Sequence, residues 1–199
     1  MSSRMGAVIK FLFKLSLWLL LTIAVCYGAR YYYNLRNHFT RTFPTGIVIH
    51  HTVTPPYSHG HKVGVADINL MHKRRGFKII DPRTGKTWHI GYHFLVQQDG
   101  TVLAGRPEYL PGEHTKNHWD MLGIALIGNF EPSDNRGMMG PSTPPPAQVK
   151  ATAKLVRSLI KKYNLTEKQL YFHRELGQTA CPGSGFQKRS LLDALRREI

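Results

Sequence analysis

Apolar and polar positions along the chain change period several times, and each change marks an element. Leu15–Ala29 is a run of fifteen residues without a charge, preceded by Arg4, Lys10 and Lys14 and followed by three tyrosines, Tyr31, Tyr32 and Tyr33. Thr45–His50 alternates and is rich in β-branched residues, which predicts a strand. Val65–Arg75 carries Val65, Ile68 and Met71 at helical spacing, with Gly76 as a stop. Tyr92–Gln97 and Thr101–Ala104 flank Asp99–Gly100, a strong hairpin signal. Ile124–Gly128 reads as a short buried strand, and Tyr171–His173 as a last one. Between Thr52 and His61, and across Asp81–Lys86, turn residues predict loops; the proline-rich stretch Glu131–Pro146 predicts an exposed excursion. Ala147–Tyr163 places Val149, Val156, Leu159, Ile160 and Tyr163 on one helical face, and Lys188–Ile199 does the same with Leu191, Leu192 and Leu195. Strands interspersed with helices predict an α/β fold: a single domain with a central mixed β-sheet flanked by helices, behind an N-terminal transmembrane or signal helix.

That N-terminal segment is either a membrane anchor or a cleaved signal. The apolar run is short for a ~30 Å hydrocarbon core, but Phe11–Phe13 and the reach of Lys10 and Lys14 extend it, and the tyrosines suit an interface. A cleavage site at Thr22–Ala24 would fall inside the run, and Val25 before Cys26 is not the small residue a lipoprotein signal wants. An uncleaved anchor is the favoured reading, and either reading exports the rest of the chain. Orientation stays open, because Arg30, Arg36 and Arg41 balance the basic residues on the other side. The expected organisation is an anchor or signal over residues 1–29, a juxtamembrane stem over 30–44 and a folded domain over 45–199.

Composition adds two constraints. The net charge of +15 favours acidic partners, including the anionic polymers of a cell envelope. The charge is dispersed, no nucleic-acid motif is present, and a nucleic-acid partner is not expected. The two cysteines, Cys26 and Cys181, provide no disulfide framework because one lies in the apolar run.

The candidate chemistry is metal binding. Cys181 follows His173 by eight residues, and the paired histidines His50 and His51 close the first predicted strand. Imidazole nitrogens and a thiolate suit Zn²⁺, and three protein ligands leave a fourth position open, as catalytic sites do. Strand alternation sends His50 and His51 to opposite faces, so only one of the pair can be a ligand.

The segments IVIHHT, GYHFLVQQDGTVLAGRP, GEHT, GIALIGNFE and HRELGQTACPG occur in this order. With them the chain resembles the zinc-dependent N-acetylmuramoyl-L-alanine amidases, the group that includes bacteriophage amidase-type lysozymes and peptidoglycan-recognition proteins. The resemblance covers about residues 45–199. It implies that His50, His173 and Cys181 hold zinc, that Tyr92 is catalytic, and that Thr179 stabilises the oxyanion where phage enzymes carry lysine. It implies that His114 and Asn117 line the substrate groove; His51 is then left to packing or to supporting the metal ligands, and His93, on the strand face opposite Tyr92, is structural. The implied activity is hydrolysis of the amide between N-acetylmuramic acid and the L-alanine of the stem peptide. The partners are then peptidoglycan or muropeptides, plus a membrane through the N-terminal helix, and the location is the cell envelope. Two other readings go with the resemblance: a non-catalytic peptidoglycan-binding module and a recycling amidase for anhydro-muropeptides. The cysteine counts against the first. The second commonly carries aspartate at the third ligand position.

Overall fold

A computed structural model describes residues 12–30, 44–137 and 139–197. The chain divides into two compact units, residues 1–41 and 42–199. In the first, helix α1 spans Leu12–Arg30, and among the described residues it is the one helix long and apolar enough to cross a membrane. At about 1.5 Å per residue its 19 residues reach roughly 28 Å, longer than the fifteen-residue uncharged run because Leu12, Phe13, Lys14 and Arg30 join the helix. A signal sequence near the N-terminus can have the same length and apolarity. The stem expected over 30–44 lies outside the described residues, apart from Arg30 and Pro44.

The second unit is built on a five-stranded sheet. In chain order its strands are β1 (Ile47–His51), β6 (Phe94–Val96), β7 (Val102–Ala104), β8 (Leu122–Leu126) and β9 (Leu170–Phe172), arranged β7-β6-β8-β1-β9. β1, β6, β8 and β9 run parallel, and β7 pairs antiparallel with β6 through the Asp99–Gly100 hairpin. Two small antiparallel pairs, β2 (Tyr57–Ser58) with β3 (His61–Lys62) and β4 (Ile79–Ile80) with β5 (Thr87–Trp88), stand apart from it. The helices are α2 (Val65–Arg74), the short α3 (Pro132–Asn135), α4 (Pro146–Tyr163) and α5 (Lys188–Arg197).

β1 is buried along its whole length, as a central parallel strand covered on both faces must be. Its alternation divides the core. Ile47 and Ile49 face α4 and α5 in one cluster with Leu122, Ile124, Val156, Leu159 and Leu191. Ala125, the register partner of His50, belongs to the second cluster with Ile90, Leu95 and Ile68 of α2. His50 therefore faces the α2 side and His51 the α4 side.

Several elements differ from their predicted bounds. Tyr92 precedes β6 instead of lying within it, and β8 begins two residues early because Leu122 donates to the Gly46 carbonyl at 2.9 Å. The two-residue strands β2 and β3 occupy part of the predicted loop, too short to leave a period. The expected excursion at Glu131–Pro146 is tied down: the buried Asn135 side chain donates to the carbonyls of Asn129 (2.6 Å) and Gly140 (3.0 Å). Pro146 opens α4, at the first helical position, where its missing N–H costs nothing.

Candidate metal centre

The site lies beyond the carboxyl ends of β1 and β9, where ligands bind in open parallel sheets. β1 delivers His50 as its penultimate residue. β9 ends at Phe172, and the next residue, His173, starts a 3₁₀ turn through Glu175. Cys181 arrives on the following loop, which Arg174 holds: its backbone N–H donates to the Cys181 carbonyl (2.9 Å), and its guanidinium donates to the carbonyls of Gly183 (2.8 Å) and Phe186 (2.9 Å).

Ligand atoms of His50, His173 and Cys181 all lie within 4.8 Å of one another. Cys181 Sγ is 3.6 Å from His50 Nδ1. Tetrahedral zinc with bonds of ~2.3 Å to sulfur and ~2.05 Å to nitrogen sets those two atoms about 3.6 Å apart, so this pair already spans an edge of the coordination polyhedron. His51, on the other face, accepts the Phe130 backbone N–H at Nδ1 (3.1 Å) and is engaged in packing.

Burial controls the electrostatics. It holds the His50 imidazole well below its ordinary pKa, helped by the neighbouring His114 and His173, and it lowers His173 as well. Burial pushes the Cys181 thiol up to about 12 against the opposing pull of the His51 backbone N–H and of Arg174. Neutral imidazoles are in the state a metal requires, and a thiol this reluctant to ionise alone needs a cation beside it to become a thiolate.

Tyr92 stands with its ring 5.2 Å from that of His50, and burial, then the nearby Cys181, raises its hydroxyl above the usual range. Thr179 is exposed on the cleft wall, and its Oγ1 accepts the Cys181 backbone N–H at 3.2 Å, leaving its own proton free to be donated. His114 reaches the cleft but is also bonded to the back of His50, its Nδ1 3.0 Å from His50 Nε2. The structure does not bring Asn117 to the cleft wall; it is exposed, with a left-handed φ of 65°.

Other residues of the cleft left no mark in the sequence. Its volume is about 400 Å³, and Val53, Arg75, Glu131 and Asp134 join its walls. Val53, Arg75 and Asp134 sit in no recognisable pattern, because they arrive from the loop after β1, the end of α2 and the short α3; Glu131, at the start of α3, closes the GIALIGNFE segment, which did not mark it as a wall residue. Val53 is 43% exposed and holds φ at 55°, a backbone state that a β-branched side chain resists. Arg106, 2% exposed, pins the loop leading to His114 by donating to the carbonyls of Ile90 and Pro111 and to Glu113 Oε2.

Residues 40–184 match the N-acetylmuramoyl-L-alanine amidase family. The chain belongs to that family. It is 34% identical over 138 residues to the endolysin of Escherichia phage T7, covering 68% of this chain and 78% of that one. It is 30% identical over 155 residues to a peptidoglycan-recognition protein of Drosophila simulans, covering 76% of this chain and 72% of that protein. Among solved structures, the amidase LysC from Clostridium intestinale superposes with a TM-score of 0.61 at 33% identity, over 78% of this chain and 87% of that one. The amidase fold is the mixed sheet flanked by helices that the hydrophobic pattern predicts, and the enzyme is a peptidoglycan amidase.

Proposed function

We propose that this amidase uses zinc, held by His50, His173 and Cys181, to cut the bond between N-acetylmuramic acid and L-alanine of the stem peptide. The observation that carries the reading is the convergence of those three side chains from β1, the turn after β9 and the following loop. The bound ion supplies Lewis acidity, activating a water and polarising the scissile carbonyl. The protein's own groups do the rest. Burial keeps the imidazoles neutral. Tyr92, held protonated, donates to the developing oxyanion, and the free hydroxyl proton of Thr179 adds a second donor. Such donors are each worth about 3 kcal/mol. The cleft walls bind the flanking glycan and peptide, and His114 belongs to those walls by position.

We further place the enzyme in the cell envelope, with α1 as an anchor or signal and the catalytic unit exported. The length and apolarity of α1 support this, and the net charge of +15 suits an anionic wall polymer.

The test uses purified peptidoglycan with product analysis by mass spectrometry. Cys181→Ser is expected to lose both zinc and release of the stem peptide. Tyr92→Phe is expected to keep zinc while kcat falls about 10²–10³-fold. A Cys181→Ser protein that still cuts the amide at the wild-type rate removes the reading.

A further inference from the structure

His114 lies in a slot cut to the size of one imidazole. Its ring is so close to Gly112 and Gly123 that a Cβ on either would come within 2.5 Å and 2.4 Å of ring atoms. Around the ring the hydrogen bonds are directional. Nε2 is 3.0 Å from the backbone carbonyl of Met121, which only accepts, so Nε2 carries the proton. In the neutral ring Nδ1 is then an acceptor, and the atom facing it is His50 Nε2 at 3.0 Å. Two lone pairs cannot share that distance, so His50 must bring the proton on Nε2. Thr115 Oγ1, 3.0 Å from His114 Nδ1 and 3.4 Å from His50 Nε2, can accept from one or donate to the other, and neither orientation changes the outcome. With its proton on Nε2, His50 keeps its Nδ1 lone pair free, and that is the atom facing Cys181 Sγ at 3.6 Å.

We propose that His114 is a positioning residue: anchored on the Met121 carbonyl, it selects the Nε2–H tautomer of His50 and so prepares Nδ1 as a metal ligand before any ion arrives. The inference rests on the reading of His50 as a zinc ligand, and it assigns His114 a task behind the metal ligand in addition to its place on the cleft wall. An imidazole ligand whose other nitrogen is unsupported can rotate or adopt the wrong tautomer, and losing such a partner typically weakens metal affinity about 10–100-fold.

Two measurements on the full chain decide it. The first is the tautomer of His50 in zinc-free, ¹⁵N-histidine-labelled protein, read by long-range ¹H–¹⁵N NMR. Wild type is expected to show His50 only as Nε2–H. His114→Asn, whose Oδ1 keeps an acceptor near the place of Nδ1, should retain that tautomer, and His114→Leu should yield a mixture. The second is zinc affinity by competition with a chromogenic chelator: His114→Leu is expected to lose about 10–100-fold and His114→Asn only a few-fold. His50 carrying its proton on Nδ1 in the wild type overturns the proposal, and so does a His114→Leu protein that holds zinc as tightly as wild type. If His114→Leu fails to fold, the wild-type tautomer and the His114→Asn pair still decide. Wall cleavage is read separately. A wild type with the expected tautomer and tight zinc that cuts no peptidoglycan removes the proposed function but not this inference, whereas a wild type that binds no zinc removes both.

Discussion

Val53 is where the backbone near the metal centre departs most from what its residue type prefers. A β-branched side chain at a φ of 55° costs on the order of 1–3 kcal/mol, and at 43% exposure the side chain recovers little of that through burial. Val53→Gly is therefore expected to raise stability by about 1 kcal/mol after the added freedom of the unfolded chain is subtracted, seen as an increase of a few degrees in Tm. A lowered Tm would show that the cleft backbone is unstrained there. Nothing in the letters around Val53 announces this, since a positive φ outside glycine is imposed by neighbours; here the Val53 N–H is drawn to the Gly128 carbonyl at 3.0 Å. His50 and Cys181 are the opposite case. Their residue types already advertise metal chemistry, and only the choice between His50 and His51 needed more than composition.

At the scale of elements, the loop from His173 to Phe186 has little regular structure and depends on Arg174. One guanidinium bridges two carbonyls three residues apart, a task a lysine ammonium cannot perform in the same geometry. Arg174→Lys keeps the backbone N–H that holds the Cys181 carbonyl but loses the bridge between the Gly183 and Phe186 carbonyls; it should cost about 1–3 kcal/mol in denaturant unfolding and weaken zinc binding by loosening the loop that carries Cys181. Unchanged unfolding with unchanged zinc affinity would mean the loop holds itself. The helices α2, α4 and α5 were legible as 3.6-residue stripes, and the β6–β7 hairpin as an Asp-Gly turn between apolar runs. The pairs β2–β3 and β4–β5 were not, because two residues cannot express a period.

For the whole molecule, the presence of several buried imidazoles has a thermodynamic consequence. His72 and His93 are each held near pKa 4, first by burial and then by the positive charge of Arg106 and, for His72, Arg75. In the unfolded chain both titrate near about 6.5. Between about pH 6.5 and 4 the unfolded chain therefore binds protons that the native protein refuses, and stability falls as pH falls. Each residue contributes a slope approaching about 1.4 kcal/mol per pH unit inside that window and nothing above it. Urea midpoints of metal-free protein from about pH 7.5 to 5 measure this; a flat profile would mean these rings are charged in the native state. The alternation of apolar and polar residues by itself determined the fold class, the helices and most sheet strands, because burial on a face follows directly from periodicity. The residue types and their order also marked the family and the candidate metal trio. What only the tertiary structure decided is how that trio is supported: His114 behind His50, Arg174 across the cysteine loop, and a cleft assembled from Val53, Arg75, Glu131 and Asp134. Those relations join residues distant in the chain through single hydrogen bonds and van der Waals contacts, and neither kind of contact leaves a local pattern to read.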